Sequence, residues 1–382
     1  MKKYFFYNTA VISLSAFTFL ACSNNDDSSD SNELNGMQTV RFEMKSDNEL
    51  SAVATGNTAV IDGVAKKEYI VTTEKSDMID VPSLSRESNI ESTLLYPGSI
   101  LRGSSFINGN YDPLVLKNSF KPVDLYLTIK GSNKIGKNSV LPKGSAIFQA
   151  IADLELQNKA YFRLDYVPAN YTFESTEINN EESFIKSNKV HAKANYAKLV
   201  STSFNYSNST SSTNKTKYVL VKLNQTVYSA GIDPKYKTDW IDGDITKKEA
   251  GDYEPVYISS VDYGRIAYIL VETSLNTQEV KNIVESSIKV GIGKVGGNVD
   301  YTKNEEFKTL FSSNKVHVSV MGGNSKNIIT DYDSFLKYLK LEATADDLIA
   351  SSAPISYTVR RLLNNTQISI VNQYKDITRE YR

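Results

Sequence analysis

Two stretches of this 382-residue chain satisfy two periodicities at once, and any fold must accommodate both. The first runs from about Ser175 to Tyr206. In its later part Val190, Ala192, Ala194 and Tyr196, then Val200, Thr202, Phe204 and Tyr206, alternate with mostly polar residues. Lys198 interrupts the apolar face and fits a turn. The second runs from about Asn276 to Phe311. Asn276 with Glu279 three residues later reads as a helix cap, and Val280, Ile283, Val284 and Ile288 then share one helix face. Yet Ile288, Val290 and Ile292 also alternate, as do Val295, Gly297, Val299 and Tyr301.

Two readings fit this pattern. One is a helix followed by an amphipathic strand in a soluble domain. The other is a segment that is helical in solution and becomes a two-stranded hairpin in a membrane. A spanning strand needs ~9–11 residues, and each stretch is about 30 long, enough for two strands and a turn. A barrel wall alternates apolar-out with polar-in. On that reading Val190, Ala192, Ala194, Tyr196, Val200 and Phe204 face lipid from a first hairpin. Ile288, Val290, Ile292, Val295 and Val299 do so from a second, with Lys289, Gly291 and Gly293 toward the lumen.

Elsewhere the elements are simpler. Val123, Leu125, Leu127 and Ile129 alternate as a half-buried strand, and so do Val219, Val221, Leu223 and Val227. Ser145 to Gln157 spaces Ile147, Ala150, Ile151 and Leu154 as a helix. Ile266 to Val271 is a continuous apolar run, which suits a central strand. Val316, Val318 and Val320 alternate up to Gly322-Gly323, and Asp331 to Leu339 reads as a short helix with Phe335, Leu336 and Leu339 inward. Strands and helices mix without regular βαβ alternation, so the expected class is α+β. Twenty-four tyrosines against one tryptophan, among many Ser, Thr and Asn, suit long strands with one wet face.

Several function classes have little to stand on. Forty-three basic residues balance 44 acidic ones with no basic run, so no nucleic-acid partner is expected. One cysteine, Cys22, makes neither an internal disulfide nor a thiolate metal cluster. His191 and His317 are far apart and read as ordinary strand residues. Gly291-Ile292-Gly293-Lys294-Val295-Gly296 fits G-x-G-x-x-G on paper, but a helix precedes it and alternation follows it, the reverse of a dinucleotide site. The neighbouring carboxylates Glu181-Glu182, Glu305-Glu306 and Asp346-Asp347 read as solvated. No catalytic residue, metal or cofactor is expected.

The N-terminus reads as an export signal. Lys2 and Lys3 precede a mostly apolar run from Phe5 to Leu20, too short for the ~20 residues of a membrane helix. Phe19-Leu20-Ala21-Cys22 resembles the lipobox of bacterial lipoproteins, which places a lipid on Cys22. Ser23 to Asp30 is serine-rich and acidic, reads as a solvated tether, and resembles the surface-export signals of some Gram-negative lipoproteins. The expected place is therefore secreted, lipid-anchored and at the outer-membrane surface.

A series of strings adds a family. Leu95-Tyr96-Pro97-Gly98-Ser99-Ile100 comes first, then Phe204-Asn205 followed by Tyr218 to Ser229. Ile258 to Arg265 with Ile269 to Thr273, then Val318 to Gly323, and Pro354 to Thr358 follow in order. Over roughly residues 80 to 375 the chain resembles the cholesterol-dependent cytolysins of the membrane-attack-complex/perforin superfamily. The resemblance implies a bent central antiparallel sheet flanked by two helical clusters, each unfurling into a transmembrane β-hairpin as subunits assemble. It implies Gly322 and Gly323 as the hinge beside the sheet, and Tyr166 and Val316 at positions of strand pairing between subunits. The family stacks two aromatic rings there, and Val316 departs from that.

By the same resemblance the chain ends near where a C-terminal membrane-binding domain begins, so a short member lacking that domain is expected. The expected division is a signal peptide at 1–21, a tether at 22–36, and a connecting β domain at 37–81 plus 357–382. A top domain covers 82–165, 223–261 and 326–356, and a pore-forming core covers 166–222 and 262–325. The implied function is a pore-forming subunit. It meets a lipid bilayer as a homo-oligomer or as a hetero-oligomer with a longer cytolysin-like subunit. The alternative is a non-lytic surface lipoprotein of the same fold that acts as a binding or immunity-like module.

Overall fold

Two long strands organise the molecule: β7 (Lys217–Ile232) and β8 (Val256–Thr273), antiparallel neighbours from Lys217 opposite Thr273 to Gly231 opposite Ser260. The computed structural model describes residues 36–84, 92–130, 135–162, 171–178, 186, 189, 191, 217–292, 301–323, 329–339 and 344–382. The chain divides at Asn32, and everything below concerns the unit Glu33–Arg382.

The continuous apolar run in β8 is buried on both faces, as a strand in mid-sheet must be. Its sheet has eight strands. Along one end the order is β10 (Ala353–Arg361), β8, β7, β4 (Val123–Ile129) and β5 (Ile135–Val140), with β3 (Ile100–Leu101) also against β8. Along the other end β8 and β7 exchange outer partners. There β9 (Val316–Met321) pairs with β8, and β6 (Tyr171–Ile178) pairs with β7. A second, three-stranded sheet has the order β1 (Asn48–Ile61), β2 (Val64–Ile79), β11 (Ile370–Tyr381). Asp62 and Gly63, both with positive φ, turn β1 into β2. The class is α+β with antiparallel sheets, as the mixed element order required.

Each end of the eight-stranded sheet has its own core. Around β3, β4 and β10 the core gathers Trp240, Tyr257, Tyr357 and Phe106. It also takes in Ile147, Ala150, Ile151 and Leu154, the inward face of helix α2 (Gly144–Gln157). Helices α1 (Gly103–Ile107) and α3 (Lys247–Ala250) are short, and each gives this core a buried residue, Phe106 and Ala250. At the other end, Val219, Val221 and Leu223 of β7 with Ala267, Ile269 and Val271 of β8 form an apolar face. Helices α4 (Thr277–Ile292), α5 (Tyr301–Ser312) and α6 (Tyr332–Leu339) cover it. Helix α7 (Ala345–Ser351) leads into β10 under a capping box of Thr344 and Asp347.

Candidate membrane-inserting segments and the seam beneath them

Both ambiguous stretches are insertions between paired strand ends. Ile178, the last residue of β6, faces Tyr218 in β7, so residues 179–216 connect two neighbouring strand ends. Val271 in β8 faces Val316, the first residue of β9, so residues 274–315 do the same after the end of β8. Lys217 faces Thr273 across β7 and β8, which puts both exits at one end of the sheet. Four adjacent strands, in the order β6, β7, β8, β9, therefore end together, and each insertion joins two neighbours.

The described part of the second insertion is mostly helical, in α4 and α5. The cap expected from sequence is present: Glu279 N–H donates to Asn276 Oδ1 and Asn276 N–H to Glu279 Oε2, both at 2.9 Å. Val280, Ile283, Val284 and Ile288 are buried on the sheet face, each burial contributing roughly 1.5–3 kcal/mol. The outer face is polar, with Lys281 Nζ 3.6 Å and Lys289 Nζ 4.0 Å from Glu285. Phe307 of α5 packs on Phe311, Tyr332 and Phe335, while the Tyr332 hydroxyl donates to Asn304 Oδ1.

The first insertion is held by contacts of another kind. Ser83 N–H donates to the Lys189 carbonyl at 2.9 Å, and Lys189 Nζ donates to Glu174 at 3.0 Å. Lys186 lies 3.7 Å from Asp77 and 4.6 Å above the Tyr374 ring. Asp77, Glu174, Lys186 and Lys189 line a cavity of about 240 Å³ together with Met78, Ile79, Thr176 and Asn372. Of the described residues within this insertion, Lys186, Lys189 and His191, only His191 is buried. Its Nε2 donates to the Phe106 carbonyl at 2.6 Å, within a cage of Phe42, Phe106 and Tyr111. Burial pulls its pKa down to about 4, against the partial lift of that hydrogen bond.

Where β8 exchanges β10 for β9, glycines crowd. A Cβ on Gly264 would meet the Gln225 carbonyl at 1.9 Å, and the β7–β8 register shifts beside it between Thr226 and Tyr228. Gly322 has φ +74°, and a Cβ there would lie 2.4 Å from the Gly264 carbonyl. Gly323 N–H donates to Ser351 O at 2.7 Å. Buried Arg265 bridges this seam, donating to Gln225 Oε1 from Nε and to the Tyr338 carbonyl from Nη1. The seam therefore joins β7, β8 and the ends of α6 and α7 with little side-chain volume between backbones.

The family model for thiol-activated cytolysins matches residues 47–380. This chain belongs to the thiol-activated cytolysin family. It is 23% identical over 335 residues to perfringolysin O of Clostridium perfringens, covering 84% of this chain and 62% of that protein. Seeligeriolysin of Listeria seeligeri is 26% identical over 324 residues, with 80% and 58% covered. Among solved structures, wild-type pneumolysin superposes with a TM-score of 0.61 at 19% identity, over 92% of this chain and 73% of that one. The chain thus spans about 60% of the length of the two relatives it is aligned with.

Within this cytolysin-family fold the residues singled out from sequence fall unevenly. Gly322 and Gly323 stand at the seam, and Val316 is buried in β9 opposite Val271. Ile288 is buried in α4, Val290 is half-buried and Ile292 ends that helix. Cys22, Tyr166, Val190, Ala192, Ala194, Tyr196, Val200, Phe204, Val295 and Val299 lie outside the described residues. His317 is a strand residue as expected, but His191 is not: an aromatic cage surrounds it.

Sequence reasoning missed four residues. Gly264 and Arg265 were read as part of a strand string, yet they form the partner surface of Gly322 and of Tyr338. Tyr338 joins Tyr332, Phe335 and Leu339 on the buried face of α6, while Leu336 is only partly covered. Lys222 looked like the wet position of an alternating strand. It is buried, donates to Ser83 Oγ at 2.7 Å, and burial lowers its pKa to about 8. The one available signal was Gly264-Arg265, a glycine and a charge inside a long β pattern.

Proposed function

We propose that this cytolysin-family chain is a pore-forming subunit that inserts residues 179–216 and 274–315 into a target bilayer as two β-hairpins. The observation that carries this reading is the common exit of both insertions from one end of four adjacent strands. Straightening either insertion lengthens two strands that are already hydrogen-bonded neighbours, so no new strand order is needed. Spanning a bilayer with strands satisfies every backbone group only in a closed barrel, which requires several copies side by side. Among the described residues β6 pairs only with β7 and β9 only with β8, which leaves an outer edge on each side for a neighbouring subunit. Tyr166 and Val316 are our candidates for setting that pairing, and Gly322-Gly323 for the hinge. Export with a lipid on Cys22 and display at the outer-membrane surface complete the proposal.

A covalent lock tests it. Ser83 and Lys189 are joined by a backbone hydrogen bond of 2.9 Å. Paired Ser83→Cys and Lys189→Cys substitutions would tie the first insertion down. Dye release from vesicles is measured with the chain alone and with a longer cytolysin-like chain added. Release should be absent in the oxidised variant and return on reduction. Equal release before and after reduction would sink the hairpin mechanism. No release by the unmodified chain under any pairing would instead favour a non-lytic binding module.

A further inference from the structure

We infer that Lys222 is a cation kept from its natural partner while the first insertion is docked, and that Glu174 passes from Lys189 to Lys222 as the insertion leaves the sheet. This rests on the insertion reading above and adds to it a group that pushes the first insertion off.

The strand pairs set four residues in one row across the sheet. Glu174 on β6 faces Lys222 on β7, Lys222 faces Tyr268 on β8, and Tyr268 faces Ser319 on β9. Paired residues share a face and successive ones alternate, so the row lies on the side away from Val221 and Leu223, which meet the helices. Glu174 and Lys222 are therefore a directly opposed cross-strand pair of opposite charge, an arrangement that ordinarily stabilises a sheet.

They do not pair in the docked state. Among the described residues the Glu174 carboxylate is bridged to Lys189 Nζ at 3.0 Å. The Lys222 ammonium donates instead to the neutral Ser83 Oγ at 2.7 Å and stands 5.8 Å from the centre of the Tyr268 ring. Lys222 is 5% exposed, while the side chains of Lys189 and Glu174 are 45% and 50% exposed. The exposed lysine thus holds the carboxylate, and the buried lysine goes without it. A solvent-exposed ion pair contributes little, whereas a buried ammonium lacking a counter-charge is costly.

Ser83 connects the two lysines. Its hydroxyl accepts from Lys222, and its N–H donates to the Lys189 carbonyl at 2.9 Å. Residues 82–84 are themselves fastened to the sheet. Leu84 N–H donates to the Ile355 carbonyl at 2.8 Å, Tyr357 N–H to the Pro82 carbonyl at 3.2 Å, and the Tyr268 hydroxyl to the Leu84 carbonyl at 3.3 Å. Lys189 is the one member of this arrangement that belongs to the insertion. Glu174 and Lys222 already face each other, so the exchange needs only side-chain rotation.

The charges around Lys222 give the sign. Burial pulls its pKa down to about 8, Glu174 draws it up, and Lys189 pushes it down. Tyr268 faces it from β8, His317 of β9 lies one row nearer the exit, and the Lys186–Asp77 pair at 3.7 Å stands beyond Lys189. Once Lys189 departs, Lys222 gains water and a carboxylate and returns at least to its ordinary 10.5. The docked state therefore binds fewer protons between about 8 and 10.5. Docking is weakest below that window and strengthens as pH rises through it.

Two variants of the full chain remove the charge. Lys222→Met fills the site with an apolar side chain, and Lys222→Gln keeps a donor for Ser83 Oγ. Deuterium exchange at the Ser83 amide reports loss of the Lys189 carbonyl without a membrane, and the Leu84 amide, bonded to Ile355, is the internal control. Near pH 7 both variants should slow Ser83 exchange by at least about tenfold, one factor of ten for each pKa unit relieved, and should delay dye release from vesicles of phosphatidylcholine and cholesterol. The parent's excess over Lys222→Met, compared at each pH, should shrink from pH 7 to about 10. A carbodiimide, which joins a carboxylate to an amine in contact, should link Glu174 to Lys189 in solution and Glu174 to Lys222 on vesicles. Faster Ser83 exchange in Lys222→Met with no change in Lys222→Gln would make Lys222 a hydrogen-bonded strut and overturn the inference. So would a Glu174–Lys189 link that persists on vesicles at full dye release, and either result leaves the pore reading standing. Absence of release from the unmodified chain overturns the pore reading, and with it any part of Lys222 in insertion.

Discussion

His191 is neutral where it sits, because charging it would put a cation among Phe42, Phe106 and Tyr111 with one carbonyl for company. Released into water it regains the ordinary value of 6.5, against about 4 when docked. The docked state therefore binds fewer protons. Its stabilisation is complete above 6.5 and is lost as pH falls through the window toward 4, by about 3 kcal/mol in all. Trypsin cleavage after Lys193 or Lys198 should accelerate as pH drops from 7 to about 5. Normalised to cleavage of an unstructured peptide by trypsin at each pH, the His191→Phe rate should stay flat across the same range. Identical pH profiles for both proteins would remove His191 from the docking of the first insertion. Nothing in the local sequence around His191 announced the cage, since its three rings come from residues far away in the chain.

Helix α4 holds two conformations' worth of information in one element. Its helical face, Val280, Ile283, Val284 and Ile288, packs into the core, while Ile288, Val290 and Ile292 alternate in sequence and form the face that the proposed hairpin would turn to lipid. Val290 belongs mainly to the second set, being only half-buried here, and Lys289 is exposed. Val290→Lys should therefore fold with a melting temperature near that of the parent. It should oligomerise and yet fail to release dye, since a lysine on a barrel's lipid face costs roughly 2–4 kcal/mol near the midplane. Lys289→Glu should keep full release and shift the reversal potential in planar bilayers toward cation selectivity. Equal release by both variants, with unchanged selectivity, would mean that this helix does not enter the bilayer.

At the scale of the whole molecule, the proposed lipid on Cys22 would supply two acyl chains, and two chains are enough for stable membrane attachment. Cys22→Ser in the producing cell is expected to move the protein from the membrane fraction to the soluble fraction and to abolish radiolabelled fatty-acid incorporation. The purified Cys22→Ser chain should still release dye from vesicles, because both insertions lie more than 150 residues downstream. Unchanged fractionation and labelling would refute the anchor without touching the pore.

The sequence by itself determined the element types and the faces. Alternation in Val123 to Ile129, the cap at Asn276 and the double pattern of the second stretch are local signals, and local steric and hydrogen-bonding preferences suffice to express them. It also pointed to Gly322-Gly323 as a place of unusual backbone. What it left undecided was partnership. Period-two alternation says which way a side chain points but not which strand lies beside it, and pairing depends on contacts between residues far apart in the chain. Only the tertiary structure brought Gly264 against Gly322, buried Lys222 beneath Ser83, and set the pairs Ile178–Tyr218, Lys217–Thr273 and Val271–Val316. Period-two alternation would be satisfied by other partners as well, so only the packing of the whole sheet chooses these pairs.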